Sequence, residues 1–397
     1  MTLRTLLFST LYPSSIRPDH GIFVQTRLRE LLGTGEVETR VVAPVPWFFS
    51  TNPCFGDYAR VAATPQQEEH NGIKVFHPRY FLPPKIGMNI APFLLAAGAI
   101  PTIKKLMREG FDFDLIDAHY VYPDGVAAAI IANHLDKPFV VTARGTDINL
   151  IPQYAIPRKL IQYALGKSAG SIGVCKALVD EMAALGTKPN KLHVLRNGVD
   201  LVKFSPIPQM EAREELSWDK GRKILLSVRY LIERKGHHLA IEALSQLPDW
   251  QLKIVGRGPE QGKLEQLALD HGVADRVTFV GQVQQDALRM YYSAADVLVL
   301  ASSREGWANV LLESMACGTP VVATNIWGTP EVVSAPAAGK LMSQRTAEEL
   351  VACIRGLLAD YPDRQAVRKH AEDFSWQATS QGQLDLFREI TSKKGAA

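Results

Sequence analysis

The chain has 397 residues, 46% of them hydrophobic and 21% charged, with a formal net charge of +3 and a pI near 8.5. That length exceeds one ordinary core and implies two domains, with the composition of a globular protein rather than a disordered or fibrous one. The balance is mildly basic without a Lys/Arg run, which excludes an electrostatic nucleic-acid binder.

Leu3 to Phe8 reads as a buried parallel strand, followed by a Pro/Ser-rich loop to His20 and a helix from about Gly21 to Leu32, closed by Gly33. Thr39 to Pro44 is a second strand. Pro46 to Pro84 is irregular until the short strand Ile73 to His77. A helix from Ile100 to Arg108 ends at Gly110. Strands follow at Phe113 to Ala118 and Pro138 to Thr142, flanking an Ala/Ile-rich helix from Gly125 to Leu135, and short strands at Ile172 to Val174 and Leu192 to Leu195. Thr2 to Thr10 is too short an apolar run for a signal sequence. Ile90 to Ile100, interrupted by Pro92, falls short of the ~20 residues of a spanning helix. The chain is therefore expected to be cytoplasmic and to cross no membrane. Its four cysteines, Cys54, Cys175, Cys317 and Cys353, show no CxxC spacing and are expected to be buried free thiols.

Asn197 to Pro208 reads as a linker, after which the pattern restarts. Strands at Ile224 to Val228, Gln251 to Val255, Val277 to Val280 and Val297 to Leu300 alternate with helices at His237 to Leu247, Gln261 to His271 and Asp286 to Ser293. Alternation of this kind predicts α/β architecture: two Rossmann-like domains, each a parallel sheet covered on both faces, with ligands at the carboxyl ends of the strands in a cleft. A polar helix from Ala378 to Lys393 closes the chain.

The stretch that carries chemistry is Glu305-Gly-Trp-Ala-Asn-Val-Leu-Leu-Glu313. It follows a strand and the turn Ser302-Ser-Arg304 and leads into an apolar helix stopped by Gly318 and Pro320. Asn309 and Glu313, four apart, share one face near the helix start. Free N–H groups there suit an anion held by the backbone of Gly306, Trp307, Ala308 and Asn309. Glu313 suits the two hydroxyls of a ribose. Arg229 follows a strand end and Arg234-Lys235-Gly236 opens the next helix, so two or three cations stand where a diphosphate would need them. Gly256-Arg-Gly258-Pro-Glu-Gln-Gly262 has GxGxxxG spacing, which is not a dinucleotide fingerprint. No Asp-x-Asp, P-loop or Gly-x-Ser-x-Gly is present and the histidines are not at ligand spacing, so nothing requires a divalent metal or another cofactor.

Glu-x7-Glu after a strand and Ser-x-x-Glu-Gly, followed by Glu-Ser-Met-Ala-Cys-Gly-Thr-Pro-Val-Val, resembles retaining glycosyltransferase family 4 (glycosyltransferase group 1). The resemblance implies the GT-B fold: an acceptor-side domain at 1–198, a nucleotide-sugar domain at 199–375, and a last helix, 376–397, crossing back to the first. It implies that Arg229 and Lys235, in an Arg-x5-Lys-Gly motif, clamp the donor diphosphate, that Glu305 binds hydroxyls of the transferred sugar, and that the backbone near Val283 meets the base. It further implies that His119, in Asp117-Ala-His-Tyr-Val-Tyr-Pro-Asp-Gly125, approaches the sugar or the attacking hydroxyl. Gly21 matches the family's loop after the first strand, but with His20 before it where a second glycine is common. Asp147, in Thr142-Ala-Arg-Gly-Thr-Asp147, is either an acceptor ligand or a turn cap, and Arg144 stands where many members have histidine.

The expected activity is transfer of a sugar, without metal, from a nucleoside-diphosphate sugar to a lipid-linked or glycan acceptor in bacterial surface-polysaccharide synthesis. Ile103 to Arg108 and Arg158 to Lys167 are basic amphipathic stretches suited to peripheral membrane contact or to a half-buried helix. An epimerase or phosphorylase on the same architecture, or a non-catalytic nucleotide-sugar binder, are the alternatives.

Overall fold

The computed structural model describes residues 2–83 and 87–395. Pro84, the end of the stretch read as irregular, and the terminal residues Met1, Ala396 and Ala397 lie outside them. The chain forms two compact units, Met1–Arg196 with Gln377–Ala397, and Asn197–Trp376. The division thus falls at 196/197 and 376/377, where the sequence suggested 198/199 and 375/376.

In the first unit ten strands are β1 (Leu3–Phe8), β2 (Val37–Val42), β3 (Val45–Pro46), β4 (Gln67–His70), β5 (Ile73–Phe76), β6 (Arg79–Tyr80), β7 (Leu115–His119), β8 (Phe139–Ala143), β9 (Gly170–Gly173) and β10 (Leu192–Val194). Eight make one sheet in the order β10-β9-β8-β7-β1-β2-β5-β4, and β3 pairs with β6. Every pair in the main sheet is parallel except β4 with β5, which is antiparallel. This edge hairpin departs from the all-parallel expectation, and its β4 sequence, Gln-Glu-Glu-His, is too polar to have been read as a strand. The central strands β7 and β8 are buried along their whole length, as strands covered on both faces must be.

The helix Gly87–Arg108 runs for 22 residues and contains Pro92 and Pro101, where only Ile100 to Arg108 was expected. A proline removes the N–H that would bond the carbonyl four residues back. For Pro92 that carbonyl belongs to Met88, and the Tyr122 hydroxyl donates to it instead. For Pro101 the position faces solvent. By length and composition this helix is apolar enough to cross a membrane. Its inner face is nevertheless built into the unit, with Leu95, Ala99 and Ile103 wholly buried. The four cysteines form no disulfide; Cys175 and Cys317 are buried as expected, whereas Cys353 is half-buried and Cys54 exposed.

The C-terminal helix Trp376–Gly395 packs Leu384, Leu386, Phe387 and Ile390 with Leu3, Leu115, Val140 and Ile172 of the first unit. Polar contacts fix its register. Arg27, 1% exposed, donates to Gln383 Oε1 at 2.8 Å and to the Leu195 carbonyl at 3.0 Å. Gln383 in turn donates to Asp117 at 2.9 Å. Burial holds the Arg27 guanidinium down to about 10, partly offset by Asp117.

The second unit carries β11 (Lys223–Val228), β12 (Trp250–Val255), β13 (Val277–Gly281), β14 (Val297–Leu300), β15 (Val321–Thr324) and β16 (Gly339–Met342). They are parallel throughout in the order β13-β12-β11-β14-β15-β16. Counted within the unit this is 3-2-1-4-5-6, the Rossmann order, and its switch point lies between β11 and β14.

Replacing Arg27 by Ala leaves the Leu195 carbonyl and Gln383 Oε1 without this donor and removes one of the cations that act on Asp117, Arg144 being another. The expected loss is about 2–4 kcal/mol of stability, read as a lower urea midpoint. A loss within about 0.5 kcal/mol, as for an ordinary surface site, would show that this network does not hold the C-terminal helix.

Candidate active site

Chain reversal at the switch point brings two loops together in the second unit. One leaves β11 at Arg229 and the other leaves β14 at Ser302, and these two strands are neighbours. The turn after β12 shapes the first loop. A Cβ on Gly256 would lie 1.9 Å from the Arg229 carbonyl oxygen, and one on Gly258 would lie 2.3 Å from that of Leu231. Leu231 N–H also donates to the Arg257 carbonyl at 2.9 Å. These glycines therefore let two backbones touch and fix where Arg229 points, rather than cradling a phosphate themselves.

The two loops meet in a buried ion pair. Lys235 Nζ donates to Glu305 Oε1 at 2.5 Å, with side-chain exposures of 8% each, and Ser302 Oγ donates to the same oxygen at 2.8 Å. Arg234 donates through Nη1 to the Arg304 carbonyl at 2.8 Å, tying the second loop down. Burial pushes the Glu305 carboxyl up, but Arg229 and Lys235 outweigh it and hold it at about 2. Burial, with Arg229 beside it, brings the Lys235 ammonium down to about 8, against the pull of Glu305. The two shifts have one cause: Arg229 and Lys235 both act on Glu305, which stays ionised, while Arg229 and Arg234 crowd Lys235, so positive charge is in surplus. Two guanidinium nitrogens of Arg229, Nε and Nη2, are buried without a hydrogen-bond partner. A site of this kind is complementary to an anion with several oxygens.

Residues 305–308 are buried and lead into the helix Asn309–Ala316. Gly306, Trp307 and Ala308 thus form the approach to its N-terminus. Asn309 Oδ1 accepts from Asn197 Nδ2 at 3.3 Å. One turn on, Glu313 Oε2 accepts from the Tyr292 hydroxyl at 2.7 Å. Burial raises the Glu313 carboxyl, with Tyr292 and Arg229 opposing that shift. Val283 lies half-buried just past β13, beside Gln285, which accepts from Lys203 Nζ at 3.0 Å. Tyr292, Ser302, Asn197 and Lys203 escaped sequence reading. Tyr292 sits among apolar neighbours on the helix Leu288–Ala294, and no local spacing ties it to a carboxylate 21 positions away.

The first unit brings together another group, described on its own. His119 ends β7 and is 1% exposed. Arg144 Nη2 lies 2.6 Å from its Nδ1, and Asp117 Oδ2 lies 3.3 Å from its Nε2. An arginine only donates, so Nδ1 is the acceptor and Nε2 carries the proton toward Asp117. Burial lowers the imidazole to about 4, with Asp117 opposing and Arg144 reinforcing the shift. With both nitrogens engaged, this buried histidine is neutral and touches protein groups in this conformation, and its approach to the sugar or the attacking hydroxyl remains what the resemblance implies. Of the two readings of Asp147, the structure shows the turn cap. Its carboxylate is fully buried and accepts from the N–H groups of Val121 at 2.7 Å, Gly145 at 2.7 Å and Arg144 at 3.1 Å. It caps the turn and offers no oxygen to an acceptor. Gly21 has φ 72 and its Cβ would lie 2.3 Å from the Leu11 carbonyl. Backbone crowding alone demands glycine there.

Because the Lys235 charge is present below about 8 and lost above it, diphosphate affinity is expected to fall as pH rises through that value. Calorimetric titration with a nucleoside diphosphate measures this, and Lys235→Arg should flatten the profile. A wild-type affinity that stays constant across that range would rule out Lys235 as a diphosphate ligand.

Two family models match the chain: Glycosyl transferases group 1 over residues 208–374, and Glycosyltransferase Family 4 over residues 57–203. The putative teichuronic acid biosynthesis glycosyltransferase TuaC of Bacillus subtilis is 29% identical over 82% of each chain. A D-inositol 3-phosphate glycosyltransferase of Mycobacteroides abscessus is 33% identical over 50% of this chain, a match that spans 46% of that protein. Among solved structures, sucrose-phosphate synthase from Thermosynechococcus elongatus superposes with a TM-score of 0.80 at 21% identity, covering 99% of this chain and 100% of that one. Anabaena HepE in complex with UDP-glucose does so at 0.68 and 18%, covering 100% of both. Starch synthase IV from Arabidopsis thaliana, bound to ADP and acarbose, gives 0.73 and 13% over 99% of this chain and 100% of that one. The fold is GT-B, and the chain belongs to the group 1/family 4 glycosyltransferases.

Proposed function

We propose that this glycosyltransferase moves a sugar from a nucleoside-diphosphate sugar to an acceptor hydroxyl with retention of configuration. The observation that carries the reading is the buried cluster of Arg229, Lys235 and Glu305 at the switch point of the second unit. In the transition state the anomeric C–O bond to the diphosphate breaks and negative charge grows on the departing oxygens. Fixed cations in a site shielded from water stabilise that charge without having to reorganise. Arg229 supplies hydrogen-bond donors and Lys235 a point charge, so the clamp acts without a divalent metal. The acceptor oxygen bonds to the anomeric carbon on the face the diphosphate leaves, and its proton passes to a diphosphate oxygen. Glu305 holds hydroxyls of the sugar, Glu313 the ribose, and the backbone of Gly306 to Asn309 the phosphates.

The likeness to TuaC, whose name places it in teichuronic acid biosynthesis, supports a role in bacterial surface-polysaccharide assembly. The acceptor is then a lipid-linked or glycan hydroxyl, and the reaction takes place on the cytoplasmic side of the membrane. Neighbours of the same fold hold UDP-glucose in one case and ADP in another, so a test must span several bases.

Thermal shifts of the purified chain with UDP-, GDP-, ADP- and dTDP-sugars in the presence of EDTA provide it. One donor should raise the midpoint by mass action, and a shift that appears only with added metal would overturn the clamp. With that donor, Glu305→Ala and Glu305→Gln should each lower turnover by about a hundredfold or more. The glutamine variant removes the charge while keeping the shape, so its midpoint separates chemistry from folding. A folded Glu305→Gln protein with full transfer activity would refute the assignment.

A further inference from the structure

The first unit carries a surface that neither the fold nor the reaction explains. Trp47, Phe49, Phe55 and Tyr58 are 40–67% exposed. They form one knob with Phe48, whose ring lies 4.4 Å from Phe49, 5.4 Å from Phe55 and 5.4 Å from Tyr58. The rings pack on each other, not under the protein. Its one acid in the 47–58 stretch, Asp57, is paired with Arg60 at 2.9 Å. The knob is tied sideways as well. Trp47 contacts Phe81, itself 58% exposed, at 6.5 Å, and Trp47 N–H donates to the Tyr80 carbonyl at 2.7 Å. On the helix Gly87–Arg108, Gly98 lies directly against Arg79 and Tyr80.

That helix continues the surface. Ile90, Phe93, Ala97, Pro101, Lys104 and Arg108 are all exposed and fall three or four apart, so they make one stripe, apolar at its start and cationic at its end. The helix Ala155–Lys167 packs beside it, presenting exposed Tyr154, Ile156 and Tyr163 among Arg158, Lys159 and Lys167. Neither segment, 87–108 or 154–167, contains an Asp or Glu, whereas together they hold six Lys and Arg.

We propose that this face docks on an anionic lipid bilayer, with the aromatic knob and Phe93 entering the headgroup–acyl boundary and the two cationic helix faces lying on the headgroups. Charge complementarity selects the occupant. Lys105 pairs with Glu109 at 3.8 Å, while Lys104, Arg158 and Lys159 stay exposed; apolar and aromatic side chains bordered by such cations match a negatively charged interface, while a protein partner's surface mixes both signs around a charge-poor centre. The helix lies on the bilayer instead of crossing it, because crossing would tear Leu95, Ala99 and Ile103 out of the core. The surface is built from residues of the first unit alone and Arg229, Lys235 and Glu305 belong to the second, so lipid binding and donor binding are tested separately.

Co-sedimentation of the full chain with vesicles tests this, using phosphatidylcholine alone or mixed with phosphatidylglycerol. Binding is expected to the mixed vesicles only. It should fall about tenfold or more in Lys104→Glu/Arg158→Glu and comparably in Phe49→Ser/Phe81→Ser, with the donor-induced thermal shift intact in both. Brominated lipids should quench tryptophan fluorescence in the wild type and lose that quenching in Trp47→Phe. No sedimentation, sedimentation indifferent to both double variants, or quenching retained without Trp47 would each overturn the proposal, whatever the fate of the transfer reaction.

Discussion

A carboxylate held at 2.5 Å by a lysine 70 positions away is the constraint on which the second unit turns. Removing two such charges from water costs several kcal/mol per ion, and their attraction seldom does more than offset it. The pair is therefore a poor stabiliser considered alone. It makes sense as one corner of a larger cluster in which Arg229 and Arg234 leave positive charge in surplus. Such a cluster is completed by an anion.

The placement of that cluster follows from topology. In the order 3-2-1-4-5-6 only the first and fourth strands have their outgoing loops diverge to opposite sides, which opens a crevice between them. Arg229 leaves one and Glu305 follows the other. The Gly256–Gly258 turn then sets the height of Arg229 by direct backbone contact, a detail invisible in a motif search that reads glycine pairs as phosphate cradles.

The first unit repeats the topology with the opposite outcome. At its switch point, between β1 and β7, charged groups find partners within the unit: His119 lies between Arg144 and Asp117, backbone N–H groups donate to Asp147, and Ser9 and Thr10 donate to Asp124. Arg144 explains part of this. A guanidinium supplies the donor that fixes the tautomer of His119 and adds to the burial that keeps the imidazole from titrating near neutrality. The unit instead turns its unusual chemistry outward, as rings and cations on the 47–58 knob and the helices beside it.

What the sequence by itself determined was periodicity. Apolar runs bounded by turns placed β1 and β14 to the residue: β14 is an unbroken hydrophobic run, the signature of a strand buried on both faces, and β1 is one interrupted by Arg4 and Thr5. The alternation of strands and helices named the architecture, and the Arg229, Lys235 and Glu305 motifs named the family. Tertiary structure alone decided the rest. It carried the helix Gly87–Arg108 through two prolines, since the hydroxyl of Tyr122, remote in sequence, reaches the carbonyl that Pro92 leaves open. It joined Tyr292 to Glu313 and gave Asp147 the turn-capping one of its two possible roles. The division has a physical reason: periodicity is local and is written in neighbouring residues, whereas burial and hydrogen-bond partnership depend on which distant segments the fold brings into contact.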